Sequence, residues 1–154
     1  MRTLARDRDA AEILSRLRAL RVDSTGRWGR MSAHQMVCHL SDGYRLLTGE
    51  LMSPLAVTPL PRSVMKVVAL YVPVRWPAGV PTTPELDQTA GNGTRPVDFA
   101  ADVAELERLL ATVAAERSGR LTGIVHPIFG AMSEAAWLRW AYLHADHHLR
   151  QFGA

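Results

Sequence analysis

Eight of the nine prolines in this chain fall between Pro54 and Pro96. Proline lacks the N–H that a helix interior needs, and its ring clashes with the preceding turn. Long helices are therefore confined to the residues before Pro54 and after Pro96. The stretch between them must run as loop and short pieces, so the chain divides into two helical halves joined by a crossover.

Each half carries two helix signals. In the first half, a segment from about Asp9 to Leu20 has Asp9 and Glu12 spaced as an N-cap and its acidic partner. Ile13, Leu14, Leu17 and Leu20 form its apolar stripe. A second segment starts at Ser32, where Ser32 and Gln35 make a capping box and Met31 and Met36 occupy staple positions. It runs to about Thr48, with Gly49 as its stop. In the second half, a segment begins at Asp98 after Pro96 and is expected to end at Gly119. The last starts at Ser133, with Met132 and Trp137 as its staple, and runs to about Phe152. Within the crossover, 53–97, the run from Ser63 to Val72 reads equally as a short helix or an extended piece. The rest is a long loop, of a length that in compact domains is usually functional or disordered.

Four helices with one long crossover between the second and third predict an all-α fold, a four-helix bundle. In such bundles a site is built in the core from facing helices. A length of 154 residues with 47% hydrophobic content fits one domain, 1–154, with a single core. No apolar run approaches the roughly 18 residues of a membrane span. The first residues, with acids among arginines, lack the uninterrupted apolar core of a signal peptide, so none is expected. A single cysteine, Cys38, allows no internal disulfide. A cytoplasmic protein is expected. The net charge of +3 comes with acids interleaved among the N-terminal arginines and no aromatic platform. A nucleic-acid surface is therefore not expected, nor a membrane one.

The chemistry sits in the histidines. On the last helix each residue turns by about 100°, which puts His148 about 40° from His144. Both lie in the apolar arc with Trp137 and Ala141, while His147 sits at its edge and Asp146 faces water with Arg139 and Arg150. On the second helix, His39 shares the core face with Met36, Gly43 and Leu46, while His34, Ser41 and Arg45 fall opposite. One buried imidazole is an ordinary core residue. Three directed inward from two helices can hold one ion and leave a position open for water or substrate. Imidazole donors suit zinc or nickel first, and iron or manganese next. A di-iron carboxylate site is not expected, because no Glu-x-x-His pair exists.

Three stretches carry a family resemblance: WGRMSAHQMVCHLSDGYR (Trp28 to Arg45), WPAGVPTTPEL (Trp76 to Leu86) and HPIFGAMSEAAWLRWAYLHADHHLRQFG (His126 to Gly153). In the last, His144, His148 and Gln151 spell H-x-x-x-H-x-x-Q. The chain resembles the DinB/YfiT-like superfamily of metal-dependent enzymes. That resemblance implies an up-down-down-up bundle, a divalent metal on His39, His144 and His148, and a homodimer. Its characterised members include thiol-dependent transferases, so a low-molecular-weight thiol enters as a co-substrate candidate.

The expected function is a metal-dependent hydrolase or thiol transferase acting on a small molecule. The alternative is a non-catalytic bundle that binds a metal or small ligand. Around the three ligands, Asp42 is a candidate to orient a ligand or accept a proton, and Gly43 to leave room for substrate. His126 is expected to fix its loop rather than bind metal, His147 is a candidate ligand, donor or rim residue, and Gln151 a candidate hydrogen-bonding neighbour of the site. Cys38 reads as a small buried side chain, and Arg75 and Arg95 as solvated loop arginines.

Overall fold

The computed structural model describes residues 1–80 and 82–154. It is mostly helical. Helix α1 spans Asp7–Arg18, α2 Ala33–Thr48, α3 Arg62–Tyr71, α4 Phe99–Ala114 and α5 Glu134–Gln151. A two-residue hairpin, β1 (Val125–His126) against β2 (Gly130–Ala131), precedes α5. The crossover contains α3 and two short 3-10 turns, Pro84–Leu86 and Gln88–Ala90.

The caps explain most boundaries. Ser32 accepts from Gln35 N while the Gln35 side chain accepts from Ser32 N, so both halves of the capping box of α2 are made. Gly49 closes α2 in the left-handed region, at φ +78°. Asp98 caps α4 and Ser133 caps α5 through their side chains. The ambiguous run Ser63–Val72 is mostly helix α3, because Leu70 finds a fully buried seat and α3 packs on α5.

Two expected boundaries shift. Helix α1 starts two residues before Asp9, with Arg6 as an N-cap that makes no side-chain bond. Asp9 instead turns back to accept from Thr3 N at 3.0 Å and to pair with Arg2 at 3.3 Å. The reason is tertiary. Leu4 is buried and donates its N–H to Leu138 O, which draws the N-terminal segment over α5 and leaves Thr3 N needing a partner. Helix α4 ends at Ala114, and Gly119 (φ +82°) forms the next corner, leading the 3-10 turn Arg120–Gly123.

Helix α1 packs on α4 and α5, and α2 packs on the same two. Along α1 and α5 the partner numbers rise together: Leu4 with Leu138, Glu12 with Tyr142, Arg16 with Asp146. They also rise together along α2 and α4, from His34–Asp102 to Arg45–Glu105. Between α2 and α5 they run opposite ways, with Tyr44 on Ala141 and His39 against His148. The shared core is aliphatic and aromatic, with Met36, Leu40, Leu106, Leu110, Trp137 and Leu149 almost fully buried. Each such side chain contributes about 1.5–3 kcal/mol by leaving water.

This arrangement corrects the two faces expected to be solvated. Helix α2 is covered by α4 on the side away from His39, so Ser41 is buried and Arg45 pairs with Glu105. Asp146 faces α1 rather than open water, held by Arg16 at 2.7 Å and Arg150 at 2.9 Å. Helical periodicity locates an apolar stripe, but a polar stripe can equally meet a charged neighbour.

Candidate metal centre

Helix α2 contributes His39, and α5 contributes His144 and His148 one turn apart. Their nearest ligand nitrogens all lie within 4.8 Å of one another. The Nε2 atoms of His39 and His144 are 3.2 Å apart. Two nitrogens bound at 2.0–2.1 Å to one tetrahedral ion would sit about 3.3–3.4 Å apart. The donor set suits a first-row divalent ion, and the His39–His144 distance matches that spacing.

The outer nitrogens are what aim the rings. His39 Nδ1 lies 3.1 Å from Leu86 O, a carbonyl that can only accept, so Nδ1 carries the proton and Nε2 presents a lone pair. His148 Nδ1 lies 2.9 Å from Gln151 Oε1. The Gln151 amide is oriented in turn, since its Nε2 donates to Trp28 O at 2.7 Å. Partners of this kind are what metal-ligating histidines require. Burial holds His39 below the ordinary imidazole range. His144 and His148 lie well below it, through burial first and then the neighbouring imidazoles. Neutral rings are the ligating form.

A cavity of about 630 Å³ opens over these rings. Its walls are mainly apolar, with Trp28, Met65, Val68, Trp76, Ile128 and Trp140 among them. His126, His147, Gly43 and Gln151 also line it, and Arg75 is exposed at its rim. His147 is buried, and its Nδ1 has no partner among the described residues.

Residues 5–154 match a family described as protein of unknown function, DUF1569. The chain belongs to the DUF1569 family. No curated protein and no solved structure matches it.

In this DUF1569 chain the remaining expected residues divide into two groups. Gly43 borders the cavity, yet the space it leaves is filled by His144 rather than by substrate, since an added Cβ would lie 3.0 Å from His144 Cε1. Asp42 is not among the cavity residues. Its two oxygens accept from Thr94 N (2.8 Å), Thr94 Oγ1 (2.6 Å) and Gln88 Nε2 (3.2 Å), with Arg45 at 3.3 Å. Asp42 thus pins the crossover next to the 3-10 turn whose Leu86 carbonyl orients His39. Gly93 is required there, for it has φ +75° and an added Cβ would meet Asp42 Oδ2 at 2.6 Å.

A second cluster, His34, Cys38 and Asp102, lies between α2 and α4 of the DUF1569 fold. His34 Nε2 is 2.7 Å from Asp102 Oδ2. Burial, with Asp102 and Asp42 nearby, pushes the Cys38 thiol up to about 12. A thiol so far from ionising is a poor ligand, in keeping with a small buried side chain. The residues that sequence reasoning missed are Trp28 and Trp76 as cavity walls and the Leu86 carbonyl. A backbone acceptor leaves no mark in a sequence. The tryptophans could have been suspected as large apolar groups placed in loops.

Proposed function

We propose that this DUF1569 protein is a metal-dependent enzyme of hydrolase or thiol transferase type, with His39, His144 and His148 holding one divalent ion. Zinc or nickel is the first choice from the all-imidazole donor set, with iron or manganese next. The observation that carries the reading is the convergence of three buried or partly buried imidazoles on one point, two with the outer nitrogen already engaged. An ion held there supplies Lewis-acid polarisation and lowers the pKa of a bound water or thiol. The protein's own part is positional. Leu86 O and Gln151 fix the rings, and the apolar cavity walls exclude bulk water from whatever binds over them. If thiol transfer is the reaction, a low-molecular-weight thiol is the second substrate.

The same reading takes the helices as an up-down-down-up four-helix bundle, supported by the ring of packed pairs α1–α4–α2–α5 and the directions in which their partner numbers run. It places the chain beside the DinB/YfiT-like enzymes, supported by that helix order and the H-x-x-x-H-x-x-Q pattern. A cytoplasmic homodimer without nucleic-acid or membrane partners completes it. No helix among the described residues is long and apolar enough to cross a membrane. A non-catalytic ligand-binding bundle is the competing reading, favoured by the mostly apolar cavity walls.

Elemental analysis of protein never exposed to chelator tests the proposal. About one transition-metal ion per chain is expected, with a rise in Tm on adding zinc or nickel to metal-free protein. Both should vanish in His39→Ala and His148→Ala. No bound metal together with no rise in Tm overturns it. An exchangeable water on the bound ion separates a catalytic site from a closed structural one.

A further inference from the structure

His126 stands across Trp140 from the metal histidines, and its ring is fixed in an unusual way. Its Nδ1 accepts two backbone N–H groups, from Ile128 at 3.0 Å and Phe129 at 3.2 Å. An atom receiving two donors carries no proton, so the neutral ring must carry its proton on Nε2. The ring cannot turn over to exchange the two nitrogens. It is stacked on Phe129 (centroids 4.5 Å apart, 21° between planes) and set edge-on to Trp140 at 5.0 Å.

The Nε2–H has no hydrogen-bond partner among the described residues, while the ring itself lines the cavity. It is not sealed from the cavity either, since among the described residues the sealed polar side-chain atoms without partners are Arg62 Nε and His147 Nδ1. A donor held by two backbone bonds and opened to a cavity is an unfilled half of a hydrogen bond. Burial pushes this histidine down to about 3, so the donor is neutral at physiological pH. A neutral fixed donor matches a neutral acceptor, and the surrounding walls match an apolar body.

We propose that the cavity takes a small apolar molecule carrying a carbonyl-type acceptor oxygen, and that the Nε2–H of His126 holds that oxygen. This deepens the functional reading above and rests on it for the choice of cavity. It narrows the substrate class to compounds whose electrophilic carbon carries such an oxygen. A preorganised donor of this kind also polarises the bond it holds.

The experiment uses the full chain, isotopically labelled and stripped with chelator. The probes are acetophenone, ethylbenzene and benzoate: a carbonyl, its apolar match and an anion. Imidazole nitrogen shifts by NMR are expected to report His126 as the Nε2–H tautomer, and acetophenone, not ethylbenzene, to move its Nε2 resonance. Acetophenone should bind at least fivefold more tightly than ethylbenzene. His126→Phe should remove that ratio. His126→Gln should restore part of it, since its amide offers an acceptor to the two N–H groups and a donor to the cavity. An Nδ1–H tautomer, equal affinities in the native chain, or a benzoate preference that survives His126→Phe would each overturn the proposal. If His126→Phe does not fold, the tautomer and His126→Gln still decide. Because the metal has been removed, a failure here is separate from a failure to find bound metal.

Discussion

The position that a Cβ on Gly43 would occupy lies 3.0 Å from Cε1 of His144 and 3.2 Å from its Nδ1. Helices α2 and α5 therefore meet through a glycine and an imidazole, and the absence of a side chain on one sets the place of the other. One turn of α5 away, the Tyr44 hydroxyl donates to Ala141 O at 3.1 Å and holds the same pair of helices together.

Gly43→Ala should force the His144 ring to give by a few tenths of an ångström, since the added Cβ would lie 3.0 Å from it. Overpacking of this kind costs about 1–3 kcal/mol. The affinity for zinc should fall at least about tenfold, as expected when the geometry of a ligand is disturbed. Competition with a chromogenic chelator measures it, and unchanged affinity would mean that the Gly43 contact does not set the place of His144.

Gln151→Ala removes the acceptor of His148 Nδ1 and the donor to Trp28 O together. Metal affinity should drop about 10–100-fold, the usual effect of losing a histidine's outer partner. Zinc titration by calorimetry reads this directly. The fold should survive with a loss on the order of 1–3 kcal/mol from the unpaired carbonyl.

Asp42→Ala strips acceptors from Thr94 N, Thr94 Oγ1 and Gln88 Nε2 in a buried corner. A loss of about 3 kcal/mol is expected from leaving those donors unpaired, while Arg45 keeps Glu105 at 3.1 Å. Because this corner ties down the crossover, limited proteolysis should begin within residues 82–97. Cleavage elsewhere first would show that Asp42 does not hold this segment.

His126 gives the protein a pH dependence with a fixed sign. Its folded-state pKa is depressed to about 3, against an ordinary value near 6.5. The unfolded chain therefore binds one more proton than the native chain between those values. The stabilisation is present above about pH 6.5 and is lost as pH falls toward 3, at about 1.4 kcal/mol per pH unit. Urea unfolding of chelator-treated protein at pH 7 and pH 5 should show a drop of about 2 kcal/mol from this group. The other buried histidines add to the drop, and His126→Gln should remove about that amount. A drop of the same size in His126→Gln would place the effect elsewhere.

The sequence by itself determined where the helices α2, α4 and α5 begin, because Ser32, Asp98 and Ser133 act on backbone N–H groups within three residues. It also determined that His39, His144 and His148 point inward, since a helix turns by a fixed angle per residue. Only the tertiary structure decided the rest. Asp9 reads as a cap, yet it answers Thr3 N, because Leu138 draws the N-terminal segment across α5. Asp146 reads as a solvated acid, yet it sits between Arg16 and Arg150. Gly43 reads as an opening for substrate, yet it is the seat of His144. The Leu86 carbonyl that aims His39 is 47 residues away in the chain and has no side-chain signature. Local capping and helical phase depend on neighbours a few residues apart, and the sequence carries them openly. The partner that satisfies a buried polar group is chosen by which distant segment packs against it, and that is settled only when the chain has folded.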